Sequence, residues 1–309
     1  MKLSALAPGK VNLCLFLGPT RADGRHEVVT LIESVSLADE LELSVLEDDR
    51  GPDHVICEGV EGPNLAAKAL SELRARGWEA PPVQLTIAKR IPIAGGMGGG
   101  SADAAATLRL AVEVAPGRPE EVAALAAELG SDVPSQLAPG LALATDAGET
   151  VEPFEPLTSH AFLILPQPHA LSAAEVYREA DRLGSPRERV ELVNRYDQLA
   201  AALQPGGRPP DELIVNDLEP AAVSLCPPVK GALNAAKAAG ADHALVSGSG
   251  PTVAGLFWGQ DAAQRATVAA TGLAERFPGA IVATPVGPEF GSPRFPSSSR
   301  ADAGEFGKI

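Results

Sequence analysis

The segment Pro92-Ile93-Ala94-Gly95-Gly96-Met97-Gly98-Gly99-Gly100-Ser101-Ala102 sets five glycines in six positions directly ahead of an alanine-rich run. Residues without a Cβ let the backbone approach a ligand closely. A helix start adds unpartnered N–H groups and the positive end of a dipole. Together they suit an anion, with phosphate the natural ligand. The run lacks the Gly-Lys-Ser/Thr of a P-loop and the spacing of a dinucleotide fingerprint. In Ala7-Pro8-Gly9-Lys10-Val11-Asn12-Leu13, Lys10 and Asn12 stand two apart and so share one face of a strand. Leu129-Gly130-Ser131-Asp132-Val133-Pro134 puts a carboxylate at a helix start, with Pro134 preset for the first turn. Asp23-Gly24-Arg25-His26 reads as a turn before a strand, and Ser247-Gly248-Ser249-Gly250-Pro251-Thr252 as a second glycine and serine loop. Taken singly, these residues have plainer readings. Lys10 fits a solvated strand residue, Asp132 a helix cap, His26 a surface turn, and Ser249 and Thr252 ordinary turn positions.

Other chemistries find little support. Cys14, Cys57 and Cys226 are too scattered for a disulfide framework or a zinc site and read as small buried hydrophobes. The five histidines show no HxH or HxxxH spacing, so no protein-built metal site is expected. Forty acidic against 25 basic residues leave a net charge of -15, which repels a polyanion and argues against nucleic acid as a partner. A small anion would need a locally positive pocket. No apolar run is long enough to span a bilayer, and Met1 to Pro8 lacks the apolar stretch of a signal peptide. A cytoplasmic protein without a membrane partner is the expectation.

The elements that must position these residues follow from periodicity. Strands are expected at 11–17, 28–37, 41–45 and 83–87. Helices are expected from Asn64, a candidate N-cap, to Arg76, from Ser101 to Val114, and from Pro119 to Leu129. Strands precede helices without regular alternation, so the fold class is α+β. A second α+β unit is expected from about Phe154, with strands at 161–165, 244–247, 253–257 and 281–283. Its helices would run over 172–183, 217–225, 229–239 and 262–277, packed on one face of a small sheet. This gives domains at 1–155 and 156–287, and a disordered tail over 288–309.

With these segments in this order, the chain resembles the galactokinase, homoserine kinase, mevalonate kinase and phosphomevalonate kinase (GHMP) superfamily. The likeness in order and spacing covers about residues 5 to 257. Asp23-Gly24 with His26-Glu27, Gly130-Ser131-Asp132-Val133-Pro134, and Asn216-Asp217-Leu218-Glu219-Pro220 point within it to kinases of the non-mevalonate isoprenoid pathway. The resemblance implies a ribosomal-S5-like N-terminal domain that binds ATP and a ferredoxin-like C-terminal domain. It also implies transfer of the ATP γ-phosphoryl to the 2-hydroxyl of a cytidine-diphosphate-linked methylerythritol. Pro92 to Ala102 would form the ATP loop, with Asp132 the catalytic aspartate and Lys10 the catalytic lysine. Asn12, Arg25, His26, Tyr177, Ser249 and Thr252 would contact the cytidylyl substrate, with the base between Tyr177 and Arg25 and its edge read by His26. Mg²⁺ would be held mainly by ATP phosphates and water rather than by protein ligands. The resemblance leaves oligomeric state open, a homodimer included.

The sequence also departs from the family. Arg25 stands at a usual aromatic position, and Ser101-Ala102 replaces a Ser-Ser pair. Pro139-Gly140-Leu141 and Asp146-Ala147-Gly148-Glu149 replace two further family segments. Two alternatives therefore remain: a GHMP kinase acting on homoserine or a mevalonate derivative, and a nucleotide-binding homologue without turnover. The presence of both Lys10 and Asp132 speaks against the second.

Overall fold

The computed structural model describes residues 1–47, 51–60, 62–115 and 119–296. In chain order the N-terminal half contains β1 (Lys2–Thr20), β2 (His26–Val45), β3 (His54–Cys57), α1 (Leu65–Ala75), β4 (Val83–Ala88), α2 (Gly99–Val114), α3 (Pro119–Leu129), α4 (Val133–Leu137), β5 (Leu141–Thr145) and β6 (Thr150–Phe154). The C-terminal half contains β7 (His160–Leu165), α5 (Ala173–Leu183), α6 (Arg189–Ala202), α7 (Glu219–Leu225), α8 (Pro228–Ala238), β8 (His243–Val246), β9 (Val253–Trp258), α9 (Ala262–Leu273) and β10 (Ile281–Ala283). No helix among the described residues is long and apolar enough to cross a membrane.

β1 and β2 are longer than the sequence patterning suggests, and they form the spine of a six-stranded sheet. They pair antiparallel along nearly their whole length. The other edge of β2 is shared, its first half pairing with β5 and its second half with β4. β3 joins β4 in parallel, and β6 completes the sheet beyond β5. Residues Ala7 to Leu17 of β1 are all buried. That continuous burial is why Val11 to Leu17 reads as an almost unbroken apolar run rather than a clean alternation. α2 lies on this sheet with Ala102, Ala104, Ala105, Ala106, Leu108 and Ala111 fully buried, and its small side chains allow close helix–sheet contact.

The second sheet has the order β10-β7-β9-β8 and is antiparallel throughout. Period-two alternation in β7 divides its two faces. Ala161, Leu163 and Leu165 join Val229, Ala232, Leu233 and Ala266 in a core beneath α8 and α9. Phe162 and Ile164 instead join the large core of the first sheet. α5 and α7 pack Val176, Ala180, Leu218 and Ala221 against Leu15, Leu17 and Val28, holding the C-terminal half against β1 and β2.

Two expectations change. Residues 288–296 are ordered: Pro288–Gly291 is a short 3-10 helix whose Gly291 carbonyl accepts a 3.0 Å bond from Arg109 Nε. Ser4 and Arg294 exchange backbone bonds of 2.9 and 2.7 Å. A half-buried arginine and the free edge of β1 thus hold a segment whose composition alone suggests disorder. The rest of the expected tail, 297–309, lies outside the described residues. Second, Cys57 is half-buried rather than core, whereas Cys14 and Cys226 are buried as expected.

Candidate active site

The glycine run joins β4 to α2 and lines a cavity of about 450 Å³. Two glycines are required by geometry. Gly96 has φ +77°, and a Cβ there would lie 2.1 Å from the Ser247 carbonyl oxygen. Gly98 has φ +67° and precedes the first helical residue; its Cβ would meet Lys10 Cγ at 3.1 Å. The N–H groups of Gly99, Gly100 and Ser101 fall in the first turn of α2, where the helix supplies no carbonyl partner. The cavity wall therefore presents backbone donors and a dipole's positive end.

Lys10 borders this loop. It is 4% exposed, its N–H donates to the Met97 carbonyl at 2.9 Å, and its Nζ donates to Asn12 Oδ1 at 2.7 Å. Asn12 Nδ2 donates to Thr30 Oγ1 at 2.8 Å, and that hydroxyl donates to the Cys14 carbonyl at 2.7 Å. The chain of bonds fixes Lys10 and Asn12 on one face of β1, as the two-residue spacing requires. Asp132 Oδ2 stands 3.5 Å from Lys10 Nζ, with the Asp132 side chain 34% exposed. Asp132 precedes α4, but its side chain makes no capping bond. Its carboxylate is thus not spent on the helix end. One oxygen faces a buried cation and lies 3.7 Å from where a Cβ on Gly98 would sit, and the side chain is partly exposed.

The substrate-side residues separate into groups. The His26 and Tyr177 rings lie 5.3 Å apart with a 38° tilt. His26 Nε2 is 2.8 Å from Asp181 Oδ1 and 3.2 Å from Thr20 Oγ1, so one edge of the ring already has protein partners. Burial, with the Asp132 charge as a lesser cause, pushes the Tyr177 phenol above its usual range. Arg25 immediately precedes β2. Its guanidinium bonds Asp23 Oδ2 at 3.0 and 3.1 Å and Glu149 Oε1 at 3.2 Å. Two carboxylates hold the cation at the turn, in keeping with its preference for a nearby anion. Ser249 lines the same cavity as the glycine run. Thr252 is fully buried behind the loop, its N–H donating to the Gly95 carbonyl at 3.3 Å, so it supports the loop from behind.

A second charged cluster was not anticipated. Lys89 Nζ bonds Asp103 Oδ2 at 2.7 Å and also reaches Asp39 Oδ2. Asp39 Oδ1 accepts the N–H groups of Arg90 and Ile91 at 2.5 and 2.8 Å. The cluster thus pins the entry to the glycine loop and the first turns of α2. Burial pulls the Lys89 ammonium down, but the two carboxylates more than offset it and the net shift is upward. Asp103, only 3% exposed, is raised to about 7, chiefly by burial. The available signals were an aspartate in the alanine-rich first half of a buried helix and a lysine at the end of the strand that leads to the glycines.

Comparison with known proteins bears on what this arrangement does. The family model for the GHMP kinases N terminal domain matches residues 64–140, and that for GHMP kinases C terminal matches 189–272. A relative from Streptomyces coelicolor, named 4-diphosphocytidyl-2-C-methyl-D-erythritol kinase, is 41% identical over 83% of this chain and 88% of its own. A relative of the same name from Anaeromyxobacter dehalogenans is 39% identical over 89% and 87%. A crystal structure of 4-(cytidine 5'-diphospho)-2C-methyl-D-erythritol kinase superposes with a TM-score of 0.68 at 33% identity, covering 92% of this chain and 99% of that one. With both family models matched and a buried lysine facing an uncapped aspartate beside the glycine loop, the chain belongs to the GHMP kinase family.

Proposed function

We propose that this chain transfers the γ-phosphoryl group of ATP to the 2-hydroxyl of 4-diphosphocytidyl-2-C-methyl-D-erythritol. The observation that carries the reading is the uncapped Asp132 carboxylate held 3.5 Å from the buried Lys10 ammonium, beside the N-terminus of α2. Asp132 accepts the proton of the attacking hydroxyl. Lys10 stabilises the charge that develops on the transferred group. Backbone N–H groups at the start of α2 cradle the phosphates, and Asn12 orients Lys10 through its 2.7 Å bond. The His26 and Tyr177 pair offers a surface for the cytosine ring, while Ser249 approaches the phosphates from the opposite loop.

A magnesium ion fits this donor set. Ser101 faces the cavity, and its hydroxyl oxygen lies 4.0 Å from where a Cβ on Gly130 would sit, on the side of the Asp132 segment. Ser101 would supply one oxygen ligand, with phosphate oxygens and water making up most of the shell, and Asp132 stays free to take the proton. The ion supplies neutralisation of phosphate charge when bound.

A coupled ADP-release assay with the cytidylyl alcohol, homoserine and mevalonate tests the reading. ADP release with the cytidylyl alcohol alone is expected. Turnover confined to homoserine or mevalonate would reassign the acceptor, and no turnover with any of them would remove the kinase activity.

A further inference from the structure

The segment Asn216-Asp217-Leu218-Glu219-Pro220 has no part in the chemistry above, yet it joins the pieces that form the site. Asn216 is 6% exposed. Its Nδ2 donates to the Val246 carbonyl at 2.8 Å and to the Gly248 carbonyl at 2.7 Å, while its Oδ1 accepts from the Leu218 N–H at 2.9 Å. Both amide hydrogens and the oxygen are thereby used. Asp217 grips β1: Oδ2 accepts the Leu17 N–H at 2.9 Å, and the carboxylate holds Arg187 at 2.6 and 2.8 Å. Leu15 adds backbone bonds to Val215 and Asp217 at 2.8 and 2.9 Å. One short segment therefore fastens the strand bearing Lys10 and Asn12 to the loop bearing Gly248.

Gly248 is where that fastening reaches the site. Its φ is +55°, and a Cβ there would lie 2.9 Å from Lys10 Nζ, 3.1 Å from the Gly96 carbonyl oxygen and 3.2 Å from Asn12 Oδ1. The backbone at Gly248 is thus a wall against which both the lysine ammonium and the glycine loop rest. Ser247, next to it, donates from Oγ to the Gly96 carbonyl at 3.2 Å.

We infer that Asn216 is a positioning residue for phosphoryl transfer, holding the Gly248 backbone so that Lys10 keeps its place beside Asp132. The inference rests on the roles given to Lys10 and Asp132 above. A carboxylate of the same shape would turn an oxygen toward two carbonyl oxygens, so Asn216→Asp replaces two attractions by repulsion. A misplacement of about 1 Å can cost about 100-fold in rate. Asn216→Asp is therefore expected to lower kcat about 100-fold at pH 8, with KM for ATP within about threefold of wild type. Acidification that protonates the introduced carboxyl returns one O–H donor, so its kcat relative to wild type should rise as pH falls. Asn216→Ser keeps one hydroxyl donor and adds no charge. It should fold, lose about tenfold in kcat and show no such return in acid. Leu199→Ala, a core truncation in α6 away from the loop, should lower Tm while keeping kcat. Wild-type kcat in either Asn216 variant, or an Asn216→Asp loss that does not change with pH, would overturn the positioning role while leaving the kinase reading intact. If the wild-type enzyme released no ADP with the cytidylyl alcohol, the kinase reading would fall and this inference with it.

Discussion

Removing a lysine ammonium from water is costly unless a partner and hydrogen bonds replace the lost solvation. Lys10 has both, in Asn12 Oδ1 and the Asp132 carboxylate. Among the described residues Lys10 is the one ion-pair partner of Asp132, and the Asp132 side chain makes no capping bond, which leaves it available as a base. Asp132→Asn keeps the shape and removes proton acceptance. It is expected to bind ATP within about threefold of wild type and to lose about 100- to 10,000-fold in turnover, read by equilibrium binding beside single-turnover kinetics. Normal turnover would take Asp132 out of the mechanism. Lys10, Asn12, Asp132 and the glycine run were legible because each sits at a fixed offset inside a local pattern: one strand face, one helix start, one dense loop. The Asp39, Lys89 and Asp103 cluster was not. Its members come from β2, the end of β4 and α2, and only the fold brings them together. Arg25 is a different case. The sequence placed it correctly in a turn, but Asp23 and Glu149 decide where the guanidinium points.

At the scale of elements, the phosphate cradle is the junction of the glycine run with α2. Gly100 tests it without disturbing the core, since a Cβ there meets nothing closer than Leu65 Cδ1 at 3.7 Å, although the residue lines the cavity. Gly100→Val is expected to leave the fold and Tm close to wild type and to raise the ATP dissociation constant at least about tenfold by crowding the helix N-terminus. Unchanged ATP affinity in the folded variant would move the cradle elsewhere. Gly99 is a poorer probe, because a Cβ there would press on Ile91 at 3.1 Å. Helix α1 was legible down to its cap: Asn64 Oδ1 accepts the N–H groups of Ala66 and Ala67 at 2.8 and 3.3 Å. Helix α6 was missed because only Leu192 and Leu199 of its residues are buried, too few to show a helical stripe. β3, β5 and β6 are short, and the pairing of β3 with β4, of β5 with β2 and of β6 with β5 decides them more than their own composition does.

At the scale of the whole molecule, the two sheets lie within residues 2–154 and 160–283, and we propose that the domain division falls at 155–156, between β6 and β7. Stability should carry the mark of the buried Asp103 carboxyl. Its folded pKa is raised from 3.8 to about 7, so the folded state favours the protonated form. The stability it contributes is present below pH 4 and is lost as pH rises toward 7. The upward shift of Lys89 acts in the alkaline range, outside this window. Asp103→Asn resembles the protonated state at every pH. Its Tm relative to wild type is therefore expected to rise between pH 4 and pH 7.5, and a constant difference would contradict the burial argument. The net charge of -15 leaves the cavity as the place where anionic ligands must be drawn in, through backbone donors, the buried Lys10 and the half-buried Lys89.

The most direct test of phosphoryl transfer to the cytidylyl alcohol is ³¹P NMR of the wild-type enzyme incubated with ATP, Mg²⁺ and 4-diphosphocytidyl-2-C-methyl-D-erythritol. The expected result is a new phosphomonoester resonance growing in step with ADP, with the substrate's own diphosphate intact and phosphorus coupling placing the new group at the 2-hydroxyl carbon. Growth of inorganic phosphate alone, or a phosphomonoester at another hydroxyl, would contradict the account.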